Sequence, residues 1–153
     1  MRRNMSGQES CFICRKHQGL EAVPCGPVYE DDLVFSGHSW SVEDDETPYL
    51  GGFIVEPKRH VLSWADLNDA EAERIGKVIR DVSAALKKAV NAEHIYVFVL
   101  GHNIPHLHIW VIPRYSGTPR EYWGFRVFEW PDRPAGTREA VEELYMKVRV
   151  AMP

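Results

Sequence analysis

The chain has 153 residues, 44% of them hydrophobic and 26% charged, with a formal net charge of −4. This describes one globular domain large enough to bury its own core, and the negative charge excludes a broad electrostatic nucleic-acid footprint. No apolar run reaches the length of a membrane span and none follows Arg2 and Arg3, so the chain reads as cytoplasmic, with no membrane partner.

Residues 1–10 are polar and expected to be a frayed, disordered end, leaving a single domain over 11–153. Cys11 and Cys14 then form Cys-Phe-Ile-Cys, the spacing of half a zinc site, although redox motifs and chance also produce it. Three cysteines make no disulfide framework, and Cys25 reads as a small buried apolar residue. Residues 27–30 and 33–35 read as short strands separated by the turn signal Asp31-Asp32. The acidic run 43–46 reads as a solvated loop, with ion binding as the alternative. Residues 51–55 read as a buried strand stopped by Pro57.

The strongest periodic element is a helix over 69–91. Ile75, Val78, Ile79, Val82, Leu86 and Val90 recur at helical spacing as one apolar stripe. Asn68 with Glu71 three residues on has the capping-box arrangement. Gly76 weakens the helix by about 1 kcal/mol against alanine, which points to close packing at that position. A strand over 94–100 and a turn over 101–104 follow. Beyond Tyr115 come a Gly/Pro/Arg-rich loop, an aromatic-rich stretch over 122–130 and a final helix over 137–148. This order reads as α+β with an antiparallel sheet.

Between the turn and the loop lies Pro-His-Leu-His-Ile-Trp-Val-Ile-Pro-Arg-Tyr, residues 105–115. Read as a strand bracketed by Pro105 and Pro113, it turns Leu107, Ile109 and Val111 to a core and His106, His108 and Trp110 to the other face. Two imidazoles in a row can be polar groups on a solvated face, two ligands for one ion, or a nucleophile or general base with its neighbour. His17, His38, His94 and His102 read as surface or loop histidines.

The segment His106-Leu107-His108-Ile109-Trp110-Val111-Ile112-Pro113-Arg114 resembles the signature of the histidine triad (HIT) nucleotide hydrolases and transferases. So does the strand that ends in Pro57-Lys58-Arg59-His60, together with the long helix and the Cys-x-x-Cys opening of the family's zinc-containing branch. The resemblance implies an antiparallel sheet of about five strands with one long helix and a C-terminal helix. It implies a small-molecule nucleotide substrate of adenine type and a homodimer that joins two sheets. It makes His108 the nucleophile that attacks the α-phosphorus and forms a covalent nucleotidyl-imidazole. Asn103, His106, Trp110 and Arg114 become substrate-binding candidates, with backbone amides near Gly101 to Asn103 as further donors. Cys11, Cys14, His60 and His106 become the ligands of a structural zinc ion; otherwise the cysteines are free thiols and His60 a surface residue.

The third histidine of the triad is replaced by Trp110. Indole offers one neutral N–H donor and more bulk than imidazole. The family carries glutamine there in its uridylyltransferase and phosphorylase branches, so transfer does not require the third histidine. Tyr96, where relatives often place an asparagine, is a second departure. Three functions follow: an enzyme acting through His108, a nucleotide-binding or regulatory module without turnover, or a fold repurposed for acid–base chemistry on a non-nucleotide substrate. For the enzyme, Tyr115, Trp123, Phe125, Phe128 and Trp130 are candidates to shape the pocket.

Overall fold

The computed structural model describes residues 5–40 and 47–153, so the acidic run 43–46 lies outside the described residues. Part of the end expected to fray forms a short helix, α1 (Met5–Ser10), followed directly by α2 (Phe12–His17). Then come β1 (Tyr29–Glu30), β2 (Val34–His38), β3 (Phe53–Pro57), α3 (Asp69–Val90), β4 (His94–Phe98), β5 (Ile109–Arg114) and α4 (Arg138–Ala151). The five strands make one sheet in the order β1-β2-β3-β5-β4, with every neighbouring pair antiparallel.

Helix α3 begins at the Asn68 cap. The Asn68 side chain accepts from the Glu71 amide at 2.9 Å and Glu71 accepts from the Asn68 amide at 3.0 Å, closing the expected capping box. It ends at Asn91, whose left-handed φ of 51° suits a residue that tolerates that region. The apolar stripe is buried: Ile75, Val78, Val82 and Leu86 meet Val34, Phe53, Val55, Ile109 and Val111 from the sheet and Leu107 just ahead of β5, with Leu144 and Val148 of α4 completing the core. The expected inward set of the histidine segment is therefore the observed one. Gly76 departs from expectation, since a Cβ there would meet nothing within 4 Å, so packing does not explain it.

The opposite sheet face is covered by the aromatic tail. Tyr49, Ile112 and Val127 form a second buried cluster, against which Tyr96, Phe98, Trp110, Tyr115 and Phe128 pack. Two 3-10 turns, Arg120–Tyr122 and Gly124–Glu129, wind the tail across this face. Among the described residues no helix is long and apolar enough to cross a membrane.

Most strand boundaries differ from expectation, β1 and β2 included. β3 starts at Phe53 and includes Pro57, β4 ends at Phe98, and β5 starts at Ile109 instead of Pro105. Residues 105–108 run ahead of the paired strand, where Leu107 N–H donates to Val61 O at 2.7 Å. The sheet ladder no longer occupies this backbone, so the carbonyl of His106 is available to a side chain.

Candidate metal centre and histidine cavity

Cys11 caps α2, its sulfur accepting from the Cys14 amide at 3.5 Å, and one helical turn brings both thiols to one side. His60 follows β3, and His106 lies on the segment leading into β5. Their ligand atoms converge: Cys11 Sγ and Cys14 Sγ each lie 3.5 Å from His106 Nδ1, and Cys14 Sγ lies 3.4 Å from His60 Nδ1. All four ligand atoms fall within 4.8 Å of one another. Zinc–sulfur and zinc–nitrogen bonds of about 2.3 and 2.0–2.1 Å at the tetrahedral angle require S···N separations of about 3.5–3.6 Å. The four side chains therefore form a Cys2His2 set that fits structural zinc and keeps no open position for substrate.

Two further observations fit a metal. His106 Nε2–H donates to Pro57 O at 2.7 Å, which leaves Nδ1 as the ligand atom and holds the ring in place. Burial pulls the His106 pKa down to about 4, keeping the ring neutral as a ligand must be. Burial, the hydrogen bond to Cys11 and the charges of Cys11 and Glu56 push the Cys14 thiol up to about 12. Two adjacent buried thiolates thus need a cation to hold them ionised.

His108 stands beside this centre. Its Nδ1 lies 2.7 Å from the main-chain oxygen of His106. A carbonyl only accepts, so Nδ1 carries the proton and Nε2 keeps its lone pair. His108 and Trp110 line a cavity of about 90 Å³ together with Phe12, Lys16, Trp40 and Glu56. The rings of His108 and Trp110 meet edge to face at 6.3 Å, and Phe128 also meets the indole edge to face, at 6.1 Å. The cavity thus has a histidine ring held through its Nδ1–H, an aromatic wall and one charged pair.

The remaining sequence candidates are placed elsewhere. His106 is buried, and its two ring nitrogens are engaged by the cysteines and Pro57. Asn103 is exposed and does not line the cavity. Arg114 lies six residues beyond His108, about 20 Å away at about 3.3 Å per residue. Its guanidinium stacks 3.7 Å from the Trp123 ring centroid and donates to Tyr96 Oη at 3.0 Å. Neither Tyr96 nor the aromatic tail lines the cavity.

His94 and His102 are exposed as expected, whereas His17 and His38 are not surface residues. His38 Nδ1–H donates to Ser39 O at 2.6 Å while Nε2 accepts from Gly51 N–H at 2.9 Å. Burial lowers its pKa to about 4. His17 Nε2 lies 2.8 Å from Glu56 Oε2, and Lys16 Nζ lies 2.7 Å from Glu56 Oε1. Cys25 is a half-buried free thiol. The sequence reading missed this Lys16–Glu56–His17 cluster, although a lone carboxylate inside the apolar run of β3 was a signal that a cation had to come from elsewhere.

An all-antiparallel five-stranded α+β sheet, with a Cys2His2 cluster tied to the histidine-bearing segment that leads into β5, defines a class that comparison with known proteins identifies. The HIT domain profile matches residues 22–117, so the chain belongs to the HIT family. It is 32% identical over 114 residues to an uncharacterized HIT-like protein of Borreliella burgdorferi, covering 69% of this chain and 76% of that one. A hypothetical histidine triad nucleotide-binding protein of Sulfolobus tokodaii superposes with a TM-score of 0.66 at 25% identity, covering 92% of this chain and 91% of that one. A zinc-bound histidine triad family protein of Mycobacterium smegmatis shares the fold with a TM-score of 0.67 at 19% identity, covering 92% and 94%.

Proposed function

We propose that the protein is a nucleotide hydrolase or nucleotidyl transferase in which His108 Nε2 attacks the α-phosphorus of a nucleotide derivative. The observation that carries this reading is the 2.7 Å hydrogen bond from His108 Nδ1 to the His106 carbonyl, which fixes a cavity-lining imidazole through one nitrogen and leaves Nε2 as the atom available for attack. A P–N bond forms and the bond to the leaving group breaks, the leaving group departing with the electron pair. Water or another acceptor then attacks phosphorus, the P–N bond breaks, and His108 is restored. The nucleotide-binding description of the Sulfolobus tokodaii neighbour agrees with this substrate class.

The Cys2His2 set would hold zinc in a structural role, as the zinc-bound description of the Mycobacterium smegmatis neighbour also suggests. Its residues tie α2 to the segment ahead of β5 that carries His108. A homodimer through the β4 edge completes the reading: β4 ends the sheet and Val97 and Val99 are exposed there.

Trp110 favours a second reading, a nucleotide-binding module without turnover, because its indole occupies part of the cavity wall beside His108. His108→Ala separates the two. Loss of hydrolysis of adenosine phosphoramidates or dinucleoside polyphosphates supports the enzyme, and a wild type that binds nucleotide without consuming any of these supports the module.

A further inference from the structure

The walls of the His108 cavity are mainly aromatic and aliphatic, with Phe12, Trp40 and Trp110 among them. Such walls suit a flat ring, which stacks on aromatic faces whatever its substituents. The cavity holds about 90 Å³, enough for only a few water molecules at about 30 Å³ each, so a flat ring would enter it edge-on or in part. Into this wall the chain places a charged pair. The Lys16 side chain is 7% exposed and Glu56 0% exposed, with His17, 6% exposed, on the second carboxylate oxygen. The pair is close to the reacting centre: Val55 pairs with Ile109, so the antiparallel register carries Glu56 next to His108.

The three side chains are not equivalent toward a ligand. Both carboxylate oxygens of Glu56 are engaged, one by Lys16 and one by His17. Burial alone would raise the Glu56 pKa, but the His17 hydrogen bond and the Lys16 charge outweigh it and hold the group ionised. The Lys16 ammonium has three donors, one of which goes to Glu56. A counter-ion role alone leaves the cluster without a reason, because a buried ion pair contributes about as much stability as apolar residues of the same volume. The cavity therefore offers a charged donor. Glu56 already balances the charge of the ammonium, so a neutral carbonyl oxygen on a ring is a good match for its remaining donors.

We propose that Lys16 is a specificity-determining residue that selects a base with an exocyclic oxygen, as in hypoxanthine, guanine or uracil, over adenine. Glu56 and His17 act as positioning residues that hold the ammonium in the wall. This rests on the nucleotide reading above and replaces its adenine-type expectation.

The test compares inosine and adenosine monophosphates, which differ in an oxo or an amino group at one ring position and in the ring N–H that accompanies the oxo form, by calorimetry on the zinc-loaded full chain. Inosine monophosphate should bind about tenfold more tightly, the scale of one charge-assisted hydrogen bond. Lys16→Met should bring the two affinities within about twofold, while Lys16→Arg should keep the preference, with zinc content unchanged in both. If Lys16→Met leaves Glu56 uncompensated and the chain fails to fold, the double variant Lys16→Met/Glu56→Gln removes both charges and gives the same readout. Equal affinities in the wild type overturn this proposal and leave the nucleotide reading intact. A preference that survives loss of Lys16 also overturns it. If neither nucleotide binds, the nucleotide reading and this proposal fall together.

Discussion

The main-chain oxygen of His106 accepts the Nδ1–H of His108 at 2.7 Å, while the ring of His106 points its own Nδ1 at two cysteine sulfurs. One residue thus serves the metal set with its side chain and the candidate nucleophile with its backbone. Disturbing the cysteine cluster should therefore be felt at His108, although the closed Cys2His2 set keeps no open position for substrate.

Purified protein should carry close to one zinc per chain. Cys11→Ser or His60→Ala should lower zinc content by elemental analysis and reduce Tm by roughly 5–10 °C, since about 1 kcal/mol corresponds to about 2–4 °C in a domain of this size. Chelation of the wild type should move Tm in the same direction. Unchanged stability after complete metal removal would contradict the structural role.

The buried face of the histidine segment is equally testable. Ile109 lies in the core beneath α3, and Ile109→Ala should reduce unfolding free energy by roughly 2–5 kcal/mol in denaturant titration. A change below about 0.5 kcal/mol, the range of surface positions, would place Ile109 outside the core.

His38 gives the fold a pH dependence. Its folded-state pKa, about 4, lies below the ordinary histidine value. The stabilisation from this neutral ring is therefore complete above about 6.5 and is lost as pH falls toward about 4. Protonating Nε2 also removes the acceptor of the Gly51 amide. Thermal melts between pH 7 and 4 should fall more steeply for wild type than for His38→Gln; parallel profiles would show that His38 is not the responsible group.

Trp110→His replaces the indole with a chargeable imidazole and enlarges the cavity. Activity on adenosine phosphoramidates or dinucleoside polyphosphates should be preserved or raised. Steady-state kinetics showing an inert wild type and an active variant would instead favour the binding module.

Charge at the exposed β4 edge should separate the proposed dimer. Val97→Lys with Val99→Lys should shift the mass measured by light scattering from two chains to one, and a wild type that is already monomeric would remove the dimer.

Much of this architecture was legible in the chain because local and periodic signals agreed. The Asn68 and Glu71 cap, the stripe from Ile75 to Leu86 and the alternation of Leu107, Ile109 and Val111 each report a local geometry that tertiary packing then uses. The Cys11, Cys14, His60 and His106 set was legible only through family resemblance, since spacing alone cannot tell which distant histidines complete a two-cysteine half-site. The position of Arg114 was not legible because a motif read along a strand says nothing about reach: the strand carries it to Trp123 and Tyr96, away from His108. His17, His38 and Glu56 were missed or misplaced because their burial depends on long-range partners, Lys16 against Glu56 and Gly51 against His38.

The central claim is that His108 becomes covalently nucleotidylated, and intact-protein mass spectrometry after rapid mixing with a nucleotide phosphoramidate and acid quench tests it most directly. The account predicts an added mass of one nucleoside monophosphoryl group, mapped by peptide sequencing to His108, labile in acid on standing and absent from His108→Ala. Turnover without any adduct on His108, or an adduct that persists in His108→Ala, would contradict it.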